Sequence, residues 1–306
     1  MTIILLIITA LMSLSALLVI LKGQLDKRLR KVASVYAGLF GALFIGIGVT
    51  HAIKQDWFER LSLPVVNEEQ ELEEGIFAGE GYEGVYEVSS EIERLYGKEI
   101  KPEDLPESVK FEAPLIQQYP ELPRGCEVTS LAMMLQHAGV DVTKTRLAKQ
   151  VKKDATPFKV QNGEVYFGNP NNGFVGDMYS RDNPGYGVYH KPIYELAQQY
   201  LPNQVRNLTG GSFTEVLYHV SRRRPVWVIT NTSYQPLPQS SFQKWKTPDG
   251  PIKITFKEHS VIITGYDSKY IYFNDPLHPK KNNKAPRKEF KQAWEQMGKQ
   301  AITYIP

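Results

Sequence analysis

The sequence predicts an α+β domain carried behind a pair of membrane helices. Three observations lead there. Two runs of about twenty residues near the start, 1–21 and 32–53, hold no Asp, Glu, Lys or Arg. An acidic, glycine-rich stretch follows. Beyond residue 111, helical patterns come first and strand patterns later, which is the order of an α+β fold rather than an alternating parallel one.

Each apolar run matches the ~20 residues that a helix needs to cross a bilayer. The second holds Gly38, Gly41, Gly46 and Gly48, which would let two membrane helices pack closely. A cleaved signal peptide needs a basic start and a shorter apolar core. The chain begins Met-Thr-Ile-Ile-Leu-Leu without a basic residue, so 1–55 is read as a transmembrane hairpin. The connecting loop contains Lys22, Lys27, Arg28, Arg30 and Lys31 against the single Asp26. Basic residues in a short loop stay cytoplasmic. Everything after about residue 55 is therefore expected outside the cytoplasm, with Trp57 and Phe58 at the outer interface.

Residues 56–110 read as a stalk. Glu68, Glu69, Glu71, Glu73 and Glu74 precede Gly75, Gly79, Gly81 and Gly84, and a helix is expected only near 88–96. A charge run of this kind is a solvated surface.

The compact domain is placed at 111–306. A helix is predicted over 126–137, stopped by Gly139, and a second over 144–152, capped by Thr143. Residues 155–190 are rich in Gly, Asn, Pro and Tyr and read as one long loop. Ile193, Leu196, Ala197 and Tyr200 give a helix over 191–200. Ser212-Phe213-Thr214-Glu215 is a capping box that opens a helix to about 222. Strands are predicted at 225–230, 261–266 and 270–273, then a helix at 288–297 and a last strand at 300–304.

The net charge of +3 is close to neutral and no nucleic-acid motif stands out. No phosphate-binding Gly-x-x-x-x-Gly-Lys-Ser/Thr loop is present, so no ATP chemistry is expected. The single cysteine excludes an intrachain disulfide and a multi-cysteine zinc site, and no cofactor is expected.

That cysteine, Cys126, follows a loop containing Pro120, Pro123 and Gly125 and starts a helix. A lone cysteine is often a small apolar filler. Here the preceding loop argues for a nucleophile, and the free N–H groups of a helix start favour a thiolate. Such a nucleophile needs a histidine. His51 lies at the membrane, and His137 is ~16 Å from Cys126 along its own helix at 1.5 Å per residue. His219 falls inside a helix, while His190 and His278 border loops. His259 opens a strand, and Asn274-Asp275-Pro276 ends the next. If Tyr266 pairs with Tyr270, Asp275 falls opposite Val261 and diagonal to His259 on the same face. A one-residue slip would send it to the other face. In that register Asp275 orients the imidazole. The backbone N–H of Cys126 and the side chain of Gln118, preferred over Gln117, are the expected oxyanion donors.

The runs Pro114–Gln118 and Glu121–Met133, together with Gly173-Phe174-Val175-Gly176-Asp177, His259–Asp267 and Asn274-Asp275-Pro276, resemble the bacterial double-glycine (bacteriocin-processing) peptidase-like family of papain-like cysteine peptidases. The resemblance covers 111–306. It implies a papain-like fold, with Cys126 as nucleophile, His259 as general base and acid, Asp275 as orienting residue and Gln118 as oxyanion donor. The spacing from Gln118 to Cys126 is longer than papain-type enzymes use. The expected function is a membrane-anchored extracytoplasmic cysteine peptidase acting on a peptide or protein substrate. Two rivals are an acyl-transferase or amidase using the same thioester, and a catalytically silent, membrane-tethered peptide-binding module. The loop 168–190, with Gly173, Gly176, Tyr179, Tyr186 and Tyr189, is expected to line the substrate groove.

Overall fold

A computed structural model of the chain describes residues 100–306, together with the single residue Val35. Apart from Val35, the predicted membrane hairpin lies outside the described residues, as does most of the stalk. Among the described residues no helix is long and apolar enough to cross a membrane.

The fold has mixed α+β content. Its first helix, α1, spans Cys126–His137, and α2 spans Lys144–Gln150, where the Thr143 side chain accepts the Arg146 N–H as a cap. Helix α3 runs His190–Tyr200. Helix α4 runs Phe213–Ser221 with Ser212 capping the Glu215 N–H, and α5 runs Arg287–Gln296. The two side-chain caps fall where the sequence placed them, because a β-region hydroxyl residue satisfies an otherwise free N–H there.

The main sheet is antiparallel throughout. Its central strands are β7 (Val226–Asn231), β10 (Glu258–Tyr266) and β11 (Tyr270–Asn274). On the outer side of β11 lies β12 (Asn283–Pro286), and beyond β7 come β13 (Ala301–Tyr304) and β6 (Val205–Asn207). The short β1 (Val109–Lys110) pairs with the far end of β10, so the last two residues assigned to the stalk join the domain's sheet. Helix α1 packs on β10 and buries Val128, Leu131, Met133, Met134 and Leu135 completely. Full burial of side chains of this size stabilises by about 1.5–3 kcal/mol each.

The β10–β11 hairpin differs from the predicted register at its turn and agrees with it at the site. Tyr266 pairs with Ile271, one residue off the expected partner Tyr270. A bulge between Ile263 and Gly265 then takes up the extra residue, so Ile262 pairs with Asn274. Continuing that pairing sets Asp275 opposite Val261, and a β-bulge is the ordinary way to absorb such an offset.

Residues 155–190 are not the single long loop expected. They contain β3 (Lys159–Gln161), β4 (Glu164–Tyr166) and β5 (Phe174–Val175), while β2 (Lys153–Asp154) pairs with β5 in parallel. Strands β3 and β4 continue into β8 (Gln243–Thr247) and β9 (Gly250–Ile254) as a second, four-stranded sheet. Asn162 and Gly163 both have positive φ, 54° and 77°, as the two central residues of a tight type I′ hairpin must. Phe167, Tyr186, Tyr189 and Trp245 form a satellite core against this sheet.

Candidate active site

Three separate anchors fix the loop that carries Cys126. Leu122 is fully buried, and a side chain at Gly125 would come within 2.6 Å of it, so only glycine fits that approach. The backbone N–H of Arg124 donates to the Met178 carbonyl at 3.1 Å, and its guanidinium donates to the carbonyls of Asp177 and Ser180. Lys144 on α2 donates to the carbonyls of Gln117 and Gln118 at 2.5 and 3.0 Å and pairs with Glu121 at 2.7 Å.

From that loop the chain enters α1 at Cys126, the first helical residue. Its backbone N–H is one of those without an intrahelical acceptor. The helix start is pinned on two sides. The Trp227 indole on β7 donates to the Glu127 carbonyl at 3.0 Å, and the Ser130 hydroxyl donates to the Ser260 carbonyl on β10 at 2.9 Å. The thiol therefore sits beside the opening of β10, where the Ser260 N–H reaches it.

His259 and Asp275 meet there. The imidazole Nε2 and Asp275 Oδ1 are 2.8 Å apart, and both side chains are buried. That contact leaves Nδ1 as the uncommitted ring nitrogen. Asp275 is held by more than the histidine. The Tyr234 hydroxyl donates to Oδ2 at 2.5 Å and the Leu277 N–H donates to Oδ1 at 2.8 Å. Burial alone would raise the Asp275 carboxyl. The hydrogen bonds and charge of His259, with the Tyr234 hydroxyl, outweigh it and hold the carboxyl below its ordinary range. Burial and the adjacent Asp275 carboxylate in turn push the Tyr234 phenol up. Its ring stacks on Phe290 at 6.2 Å and 11°.

Three other described histidines are placed differently. His137 Nδ1 lies 2.8 Å from the Tyr304 hydroxyl. Burial pulls His190 down to about 4 and His219 down to about 3, so both are neutral packing groups.

Gln118 joins the site in another way than expected. Its backbone N–H donates to the Pro276 carbonyl at 2.9 Å, tying the loop before Cys126 to the segment after Asp275. Both protons of its side-chain amide go to loop carbonyls, Leu122 at 3.2 Å and Pro123 at 3.0 Å, while its buried Oε1 has no partner. In this state the amide braces the loop, and an oxyanion role requires it to turn.

The thiol also differs from expectation. Cys126 Sγ donates to Glu127 Oε2 at 3.2 Å. Burial and the neighbouring Glu127 and Glu258 carboxylates push the Cys126 thiol well up, which exceeds the lowering expected from the helix start. The sequence reading missed Glu127, Glu258 and Tyr234. A carboxylate directly after Cys126, at the start of a largely apolar helix, was the available signal for the first. A carboxylate directly before His259 was the signal for the second. No sequence signal marked Tyr234.

The 168–190 loop does not open as a groove lined by its tyrosines. Tyr186 and Tyr189 are buried, with their hydroxyls 2.9 Å apart, and only Tyr179 is well exposed. Gly173 and Gly176 are explained by packing, since an added Cβ would lie 2.5 Å from the Lys153 carbonyl carbon and 2.4 Å from the Pro184 oxygen.

Comparison with known proteins identifies the family of the fold. An uncharacterized protein of Bacillus subtilis strain 168, YvpB, is 51% identical over 183 residues, which is 60% of this chain and 70% of the relative. A crystal structure from Bacillus anthracis, described as a C39-like peptidase, matches with a TM-score of 0.61 and 48% identity. It covers 66% of this chain and 98% of its own. The family model described as the Peptidase_C39 like family matches residues 110–302, a span that contains Cys126, His259 and Asp275, and the chain belongs to that family.

Proposed function

We propose that the chain is a membrane-anchored cysteine peptidase whose catalytic domain faces outward from the cytoplasm. The observation that carries the reading is the chain of contacts Tyr234–Asp275–His259, its aspartate and histidine buried, next to Ser260, whose N–H reaches the Cys126 sulfur. Membership of a C39-like peptidase family supports the same chemistry. The placement rests on the uncharged runs 1–21 and 32–53 and on the basic loop between them.

The residues take the following parts. The thiol swings from Glu127 to Nδ1 of His259 and gives up its proton, forming thiolate and imidazolium. Asp275 stabilises the imidazolium and keeps the ring oriented. The sulfur attacks the carbonyl carbon of the scissile amide. The resulting oxyanion takes the Cys126 N–H, with the Gln118 amide once it turns from the loop carbonyls. The C–N bond breaks as His259 returns its proton to the leaving amine, leaving a thioester on Cys126. Water then attacks the thioester, His259 takes its proton, and the carboxylate product leaves as the thiol is restored.

The test is a peptide-library screen comparing the full chain with its Cys126→Ala variant. Cleavage lost in the variant supports the reading. Equal profiles assign the chain to the silent binding module, and products carrying an added amine assign it to acyl transfer. Protease added to intact cells should digest the domain, and full protection would refute the outward placement.

A further inference from the structure

Two carboxyl groups that the mechanism does not use converge on the nucleophile. Glu127 is fully buried. Its Oε2 accepts the Cys126 thiol at 3.2 Å and its Oε1 accepts the Val188 N–H at 2.7 Å. Glu258, the residue before His259, aims into the same space, and its inaccessible Oε1 has no partner. Gly187 lies beneath both. A Cβ there would sit 2.3 Å from Glu127 Oε1 and 3.0 Å from Glu258 Oε2. The sulfur and one oxygen of each carboxyl fall within 4.8 Å of one another.

The surrounding groups supply no counter-charge on that side. The Tyr186 and Tyr189 hydroxyls face the pair from the loop before α3, and the Ser260 N–H faces the sulfur from β10. His259 lies on the same strand with its Nε2 bound to Asp275, and Tyr234 reaches in from the turn after β7. No lysine or arginine is among these neighbours. Glu127 is fully buried and Glu258 part-buried, and two carboxyl groups this close resist carrying two charges at once.

We propose that Glu127 and Glu258 form a proton-sharing carboxyl pair that positions Cys126 and keeps it in the thiol form until a second proton neutralises the pair. With one proton the pair carries a single negative charge, accepts the S–H bond and opposes a second anion on sulfur. A proton from solvent brings the pair to neutral. The thiol then leaves Oε2 and passes its own proton to Nδ1 of His259, giving thiolate and imidazolium with no change of oxidation state. Burial raises the Glu127 carboxyl to about 7 and the Glu258 carboxyl well above its ordinary value. The release therefore falls on the mildly acidic side of neutral. The inference rests on Cys126 being the working thiol of the proposed peptidase.

Cys126 is the only cysteine of the chain, so alkylation by iodoacetamide of the full-length protein in detergent reads this thiol alone. The rate is measured against pH for wild type, Glu127→Gln and Glu258→Gln. Removing the charge of Glu127 should lower the apparent thiol pKa by about one to two units, which is about ten- to a hundredfold faster alkylation at pH 7. Glu258→Gln should move the thiol the same way by a smaller amount. A packing role alone would change stability and leave this pH profile in place. An unchanged or raised thiol pKa in Glu127→Gln overturns the proposal. Should that variant fail to fold, an unmoved profile in Glu258→Gln, whose side chain makes no hydrogen bond to the sulfur, overturns it equally. The measurement needs no substrate. A shifted profile without peptide cleavage would sink the peptidase reading and spare the carboxyl pair, and cleavage without a shift would do the reverse.

Discussion

Replacing Tyr234 by phenylalanine removes one hydroxyl and keeps the ring. The hydroxyl donates to Asp275 Oδ2 at 2.5 Å, while the ring packs on Phe273 at 4.5 Å and stacks on Phe290. The packing should survive, and the loss should be that of one hydrogen bond to a largely buried carboxylate. Such a bond contributes about 1.5–3 kcal/mol, which corresponds to an Asp275 pKa higher by about one to two units. The sign follows from linkage. Asp275 is held below its ordinary value in the folded protein, so its stabilising contribution is present above the unfolded pKa and is lost as pH falls through the folded one. In Tyr234→Phe the folded pKa rises toward the unfolded one, so stability at neutral pH should fall and the loss on acidification should shrink. The acid limb of the pH profile for peptide cleavage should move up with that pKa, and turnover at neutral pH should fall about tenfold. Urea unfolding at a series of pH values, together with a pH profile of kcat/KM, measures both. Equal stability curves and an unmoved acid limb would refute the claim that the tyrosine holds the aspartate.

Other substitutions test other parts of the site. Asp275→Asn should lower turnover about a hundred- to ten-thousandfold, because the amide can no longer favour the imidazolium, and steady-state kinetics with a cleaved peptide would expose a smaller role. Gly187→Ala drives a Cβ to 2.3 Å from Glu127 Oε1 and should cost about 1–3 kcal/mol, so an unchanged urea midpoint would contradict the geometry. Glu127→Gln should flatten the stability curve between about pH 5 and 7. Burial makes the folded protein hold that proton more tightly than the unfolded chain does, so wild type loses stability as pH rises through this window. Lys144→Met removes the ties to the Gln117 and Gln118 carbonyls and should raise amide hydrogen exchange across 117–125. Unaltered exchange would mean that Leu122 and Arg124 hold the loop unaided.

What the sequence could show depended on how local each cause was. Thr143 and Ser212 were readable because a capping side chain acts within three residues of itself. The His259–Asp275 contact and the helix start at Cys126 were readable because these residues stand at element boundaries that the pattern marks. The second sheet was missed because β3 and β4 have only three residues each and β3 is exposed throughout, so no alternation announces them. The Asn162-Gly163 turn was the one local clue. Tyr234 could not be singled out, since its role depends on Asp275, 41 positions away. The raised thiol was hidden for a similar reason. Helix-start chemistry is local, whereas the burial of Glu127 against Glu258 needs Gly187, brought in from a loop some sixty residues on.

The bulge in β10 separates two parts of the hairpin that would otherwise be mechanically one. On its far side lie the Asp267–Lys269 turn and the pairing of Tyr266 with Ile271, and on its near side lies the pairing of Ile262 with Asn274 that seats Asp275. In an unbroken ladder, one residue gained or lost at the turn would rotate every later side chain to the opposite face. Here the ladder already accommodates an odd residue between Ile263 and Gly265, so the turn and the aspartate are indexed independently. This makes the 267–269 turn the natural place on this hairpin to tolerate insertions, whether from evolutionary drift or from an engineered epitope, while the pairing that seats Asp275 stays put.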